Sequence, residues 1–421
     1  MFRALGSRNY RLFFFGQGVS LVGTWMTQLA TVWLVYQLSG SPLWLGVVGF
    51  AGQAPSFFVA PFSGLLVDRF DRRRILLLTQ ALAMAQSLAL AALTFTGAIN
   101  LFWLLGLGLF QGLINSVDMP TRQAMVVDMV DRRADLGNAI ALNSSLVNAA
   151  RLVGPALAGI MIATFGAAAC FLIDGLSYLP VLASVAALRF APRPVSREAF
   201  APLTRLREGL AYAWGFAPIR AVLALLAAVS FSGMPYTVLA PIFARDILGG
   251  DARTLGSLMS AAGIGALTGG LYLTARTGVR GLGNLIALGP LLAGCGLVGF
   301  SLSRNFGLSL ACLFAVGLGI ILLIASCNTF LQTIVPDEKR GRVMSLYTVA
   351  FIGTVPFGNL VAGALASRFG APTTLAAGGL VCLVASGLFT AYRPRLKPLV
   401  GEVYRRLGLI DDPRARQTLS R

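Results

Sequence analysis

The chain of 421 residues is 56% hydrophobic and 12% charged, and its mean hydropathy of +0.77 leaves more apolar surface than a water-soluble domain can hide. It carries a formal net charge of +18 and no histidine, so Ser-His-Asp triads, histidine metal sites and histidine proton relays are excluded together. Its arginines stand in short loops and tails beside apolar runs, the placement of positive-inside orientation rather than of a nucleic-acid surface.

In chain order, the apolar runs long enough to span a bilayer are Leu12 to Tyr36, Leu43 to Val67, Ile75 to Phe95, Leu101 to Val117, Ala139 to Thr164 and Ala168 to Leu188. After a break come Ile219 to Ala244, Leu255 to Ala275, Leu282 to Leu302, Leu308 to Leu331, Val343 to Ala366 and Thr373 to Tyr392. Arg3, Arg8 and Arg11 precede a first run that outlasts a signal peptide, so it is expected to remain as a span.

The turns after spans 1, 3 and 5 carry no charge, whereas those after spans 2, 4 and 6 carry Arg69, Arg72–Arg74, then Arg122, Arg132 and Arg133, then Arg189 and its neighbours. This asymmetry predicts that both termini and the basic loops face the cytoplasm. The Arg189 to Arg220 stretch is Pro- and Arg-rich and reads as a linker, with Leu203, Leu206, Leu210 and Tyr212 spaced as on an interfacial helix.

The expected fold is all-α: twelve transmembrane helices in two pseudo-symmetric six-helix halves. The halves are residues 1–190 and 219–392, joined by a linker at 191–218 and followed by a basic tail at 393–421. A weak internal repeat supports the division: Gly137-Asn-Ala-Ile-Ala-Leu aligns with Gly341-Arg-Val-Met-Ser-Leu, and Gly159, Phe165 and Gly166 align with Gly363, Phe369 and Gly370, at one offset of 204 residues. Six-helix repeats around a midplane site are a device of alternating-access transporters.

Chemistry of other kinds finds no residues. Lys339 and Lys397 are the only lysines and neither precedes Ser or Thr, so a phosphate-cradling loop is missing. The five cysteines are scattered through apolar runs and read as packing residues. No metal, cofactor or enzymatic activity is expected.

The segment Gly64 to Arg74 packs six charges between two apolar runs. It resembles the signature loop between helices 2 and 3 of the major facilitator superfamily, with Gly64, Asp68, Arg69, Arg72 and Arg73 at matching places and Asp71 where that family usually has glycine. The resemblance implies a gate whose ion pairs form in one state and break in the other. Asp118 and Arg122 stand at the same end of span 4, where the family joins acids and arginines to this relay, and are the expected partners. The second-half counterpart Gly270 to Arg276 lacks the aspartate, so the latch is expected in the first half.

Span 5 contains Arg151-Leu-Val-Gly154-Pro155-Ala-Leu-Ala-Gly159. Gly154 permits close approach and Pro155 a bend, and the run incompletely resembles the helix 5 motif of proton-coupled antiporters in the superfamily. A packing kink is the alternative. Arg151 lies near the bilayer midplane and Asp174 lies within span 6, whereas the second half has no acid within a span. Intramembrane charges are functional or paired, so Asp174, with Asp118 behind it, is the expected proton carrier. The alternative is a static Arg151–Asp174 ion pair.

Candidate cavity residues are Gln17, Trp25, Gln28, Asn143, Asn148, Tyr178, Tyr236, Asn328, Phe351 and Asn359. Sparse polar groups on an apolar wall suit an amphipathic organic molecule. The runs Asp118 to Ala124, Leu136 to Asn143, Arg151 to Pro155 and Pro336 to Ser345 resemble the bacterial exporter branch that includes the enterobactin exporter and macrolide efflux proteins. That resemblance implies export of a siderophore or drug-like molecule from the cytoplasm against protons, and a monomer in the lipid of the bacterial cytoplasmic membrane is expected. A lysolipid flippase on the same fold and a non-transporting sensor remain open at this point.

Overall fold

Continuous apolar sequence in lipid must satisfy its own backbone hydrogen bonds, and the helix does so within one segment. The chain accordingly folds into helices, twelve of them long and apolar enough to cross a membrane. The computed structural model describes residues 3–188, 202–276, 278–279, 281–407 and 409, with the side chains of 60–68, 133 and 202–208 outside the described set.

The first half comprises α1 (Arg8–Ser39), α2 (Pro42–Arg69), α3 (Arg72–Phe95), α4 (Leu101–Met129), α5 (Leu136–Phe165) and α6 (Ala167–Ala187). The linker contributes α7 (Pro202–Gly215). The second half comprises α8 (Ala217–Ile247), α9 (Ala252–Ala275), α10 (Leu282–Leu302), α11 (Phe306–Ile334), α12 (Asp337–Phe369) and α13 (Ala371–Arg406). Among the described residues there is no strand.

Two spans run further than hydropathy alone predicts. α4 continues past Val117 to Met129, so Asp118 and Arg122 lie inside a helix and not at its end. α13 continues past Tyr392 to Arg406 despite Pro394 and Pro398, because its extension buries Leu396 and Tyr404 against the body. A helix that leaves hydrocarbon keeps its hydrogen bonds at no cost in water, so the polar boundary does not end it.

The weak repeat is structural. Gly166 and Gly370 join α5 to α6 and α12 to α13 with φ of 82° and 83°, a region that glycine alone enters easily. Asn100 and Asn305 cap α4 and α11, each accepting a backbone N–H three residues on at 3.0 Å.

The bundle has a basic end, which carries the α2–α3 and α4–α5 loops and the linker, and an opposite end. At the basic end of the first half, Tyr10, Phe13, Leu76, Met125, Met129, Val181 and Val185 form one buried cluster. The Tyr10 hydroxyl donates to the Ala139 carbonyl at 2.7 Å.

The two halves meet along α5 with α9 and α2 with α12. A Cβ on Gly159 would stand 2.7 Å from the Ala252 oxygen and 3.1 Å from Gly256 Cα, and one on Gly363 would stand 2.8 Å from Gly46 Cα. These seams are therefore backbone against backbone, and the two residues that make them, Gly159 and Gly363, are repeat equivalents. Nearer the middle, Phe50, Phe57 and Phe357 join α2 to α12 edge to face, with centroids 5.4–5.6 Å apart. At the far margin the Tyr36 hydroxyl donates to the Asp246 carboxylate, and the Arg245 guanidinium lies 5.8 Å from the Tyr36 ring. All of these approaches lie at or beyond mid-membrane, away from the basic loops.

A side chain at either glycine should force its seam apart. In a variant cleared of native cysteines and carrying Asn359→Cys, which is at 0% exposure in the α2–α12 seam, Gly363→Val is expected to raise labelling by a water-soluble thiol reagent several-fold. Unchanged labelling would show that the seam yields without opening.

Candidate functional site

The α2–α3 loop organises the basic end. Asp71, the residue that departs from the family pattern, caps α3: its carboxylate accepts the Arg73 backbone N–H at 2.9 Å. Arg72 pairs with Asp128 of α4 at 3.1 Å. Arg73 donates to the Val185 carbonyl at 3.1 Å and to that of Ala186, so a cation sits on the last carbonyls of α6. Arg69 is exposed. Gly64 and Asp68 have side-chain positions outside the described set.

Asp118 does not meet this loop. It is 3% exposed, pairs with Arg122 one turn on, and accepts hydrogen bonds from Thr79 at 2.8 Å and Gln80 at 2.7 Å. The expected pairing of Asp118 and Arg122 with the loop is thus replaced by Asp128 with Arg72, while Asp118 knits α4 to α3. The reason is the extra length of α4, which carries Asp128 to the loop and leaves Asp118 nearly three turns short of it. Sequence reasoning missed Asp128 because the hydropathy run stops before it.

Asp174 is 2% exposed on α6, where its Oδ2 accepts from the Ser87 hydroxyl of α3 at 2.7 Å. Its Oδ1 is buried without a hydrogen-bond partner, as is the Thr27 hydroxyl oxygen. A Cβ on Gly23 of α1 would stand 2.8 Å from that Oδ1, so glycine is what lets α1 lie over the carboxylate.

Arg151 is not the partner of Asp174. Among the described residues it has no ion pair, and its guanidinium lies 5.6 Å from the Trp25 ring of α1. The static ion pair is excluded in this conformation because α1 stands between the two charges. Gly154, one turn beyond Arg151, is packed against Trp25 itself, and Pro155 and Gly159 line the α9 seam. The helix 5 motif is therefore the surface on which α5 meets both α1 and the other half.

Helix periodicity places the remaining candidates. On α5, Val153, Leu157 and Ile160 are exposed on the lipid-facing stripe, and at about 100° per residue Asn148 and Arg151 fall on the opposite side. Trp25 is half-buried and Gln28 exposed on α1, and Asn143 is half-buried on α5. In the second half Asn328 and Phe351 are half-buried, with the Asn328 amide oxygen accepting from Gln332. Gln17, Tyr178, Tyr236 and Asn359 are buried and do not line an open cavity here, since each is sealed between packed helices. Both amide atoms of Asn359 are without a hydrogen-bond partner in the α2–α12 seam.

The family model described as transmembrane secretion effector matches residues 2–402. The chain belongs to that family, within the major facilitator superfamily. It is 25% identical over 390 residues to the staphyloferrin A transporter of Staphylococcus aureus, spanning 92% of this chain and 97% of that protein. It is 29% identical to the multidrug efflux pump Tap of Mycolicibacterium fortuitum, spanning 90% and 93%, and 23% identical to macrolide efflux protein A of Streptococcus pyogenes, spanning 86% and 91%.

Solved structures agree on the fold. A POT family transporter superposes with a TM-score of 0.74 at 13% identity, over 92% of this chain and 96% of that one. An inward-facing, unoccupied bacterial homolog of the human lysosomal transporter Spinster gives 0.67 at 16%, over 97% and 99%. The chain is thus an integral membrane transporter and not an enzyme.

In this secretion-effector transporter the two basic-end acids should differ in weight. Asp118→Asn removes the buried carboxylate on which Thr79, Gln80 and Arg122 converge and is expected to cost about 3 kcal/mol, whereas Asp128→Asn breaks a quarter-exposed pair worth about 1 kcal/mol or less. Thermal melts of the purified variants should therefore rank Asp118→Asn well below Asp128→Asn, and the reverse order would contradict the assignment.

Proposed function

We propose that this transporter exports a small amphipathic organic molecule, siderophore or drug-like, from the cytoplasm by alternating access in exchange for protons. The observation that carries the reading is the pair of glycine seams, which among the described residues hold the halves together at the end opposite the basic loops. Under the positive-inside rule the basic end and both termini face the cytoplasm, so this conformation is the one that loads from inside. The seams lie within one chain, and a monomer suffices. The names of the relatives support export, and their range from a siderophore to macrolides leaves the cargo to be defined by the cavity.

Proton exchange rests on Asp174. It is buried within α6, and its Oδ1 lacks a hydrogen-bond partner among the described residues, leaving an atom at which a proton could bind. The loop Gly64 to Arg74 is the proposed gate that closes the basic end when the seams open, with Asp68 as its acid. In the present conformation Arg72 and Arg73 are held within their own half by Asp128 and α6.

Proteoliposomes with a fluorescent amphiphile inside and an imposed pH gradient test the reading. Wild type should move the probe only while the gradient lasts, and an uncoupler should stop it. Asp174→Asn should abolish the gradient-driven movement while eluting as a folded monomer. Full activity of Asp174→Asn would remove Asp174 from the mechanism, and transport indifferent to the uncoupler would remove protons.

A further inference from the structure

Arg151 is a formal charge at the centre of a 30-residue helix, about 22 Å from either end at 1.5 Å per residue. A charge at that depth is costly unless it is hydrated or given a counter-charge. The protein supplies no counter-charge among the described residues, since the one acid at similar depth, Asp174, is buried behind α1 and held by Ser87.

The surroundings are those of a recognition site. Arg151 is half-exposed, on the face of α5 opposite the lipid stripe, between α1 and the α9 seam, where Gly263 lies against the Arg151 backbone oxygen and Leu152. Trp25 offers its ring to the guanidinium at 5.6 Å, a contact that orients the cation without neutralising it. Asn148 lies one turn before Arg151, its Nδ2 donating to the Ser144 carbonyl at 2.9 Å, and exposed Gln28 lies one turn past Trp25.

We infer that the transported molecule is an organic anion whose carboxylate is taken by the Arg151 guanidinium, with Trp25 bearing on its apolar part. This rests on the exporter reading and narrows it to a substrate class. A guanidinium presents paired donors that match a carboxylate, and in a site with little water such a charge-assisted pair is strong. A cationic amphiphile would meet like charge at the same place. A carboxylate arriving from the basic end thereby supplies the counter-charge that the fold omits.

The test measures binding and transport separately on the full-length transporter in lipid nanodiscs and proteoliposomes. Carboxyfluorescein serves as the anionic probe and ethidium as the cationic one. Wild type should bind carboxyfluorescein by fluorescence anisotropy in preference to ethidium, with affinity falling as salt rises. Arg151→Gln should weaken carboxyfluorescein binding by about 30-fold or more without weakening ethidium, and Arg151→Lys should restore part of the loss. Equal carboxyfluorescein affinity in wild type and Arg151→Gln, or a wild type that prefers ethidium, overturns the inference. An unfolded Arg151→Gln variant, seen by gel filtration, passes the decision to Arg151→Lys against wild type, where a loss of at least several-fold with ethidium unchanged supports the inference and equal affinity overturns it. Binding that depends on Arg151 with no gradient-driven movement of either probe would sink the exporter reading and leave the anion site standing. Transport that ignores Arg151 would do the opposite.

Discussion

Two helix pairs, α5 with α9 and α2 with α12, hold the halves together, and in each a glycine of one helix meets a glycine of the other. No ion pair crosses these seams among the described residues, and at the margin a hydrogen bond joins Tyr36 to Asp246. Between apolar helices in lipid, hydrophobic burial gives no net drive, so close van der Waals fit supplies the association. Such a seam is tight but has no charges to strand when it opens. Asn359, with both amide atoms unpaired inside the α2–α12 seam, takes something away from the stability of the closed form.

Depth sorts the charges. At the basic end, where water reaches, arginines are spent on local structure: Arg72 ties α3 to α4 and Arg73 covers the end of α6. One step deeper, Asp118 is kept by Arg122, Thr79 and Gln80, a fully partnered acid. At mid-membrane the pattern changes, and Arg151 and Asp174 are both left short of partners. Unpartnered buried atoms occur elsewhere, as at Asn359 and Ser326, but Arg151 and Asp174 are charged groups within spans, and they mark where the proposed ligand and proton would complete the site.

Most of the fold was legible in the sequence, because the requirement that lipid imposes acts on composition alone. Span number, the two halves and the 204-residue repeat all follow from apolar runs and glycines, and Gly159 and Gly363 proved to be the seam residues. What was not legible depends on reach. Hydropathy stops α4 at Val117, whereas the helix continues into water and delivers Asp128 to Arg72. Periodicity could not separate residues that face the cavity from residues that face another helix, so Gln17, Tyr178, Tyr236 and Asn359 were grouped with Gln28 and Asn148. Tyr36, Arg245 and Asp246 went unnoticed because each lies at a span's end, where a charge or hydroxyl is unremarkable until a partner from the other half is seen beside it.

The separation of Arg151 from Asp174 constrains how exchange can work. Had they paired, a proton could displace the arginine directly and free it for cargo. Instead α1 lies between them, with Trp25 toward Arg151 and, two residues earlier, Gly23 against the Asp174 carboxylate. Loss of charge at Asp174 changes what Ser87 and the neighbouring threonine hydroxyls face, and a bound anion changes what Trp25 faces. Both events act on one helix, and near the end of that helix Tyr36 stands in the margin of the seam. In the proposed exchange the position of α1 would carry the coupling, so the proton and the cargo need never share an atom.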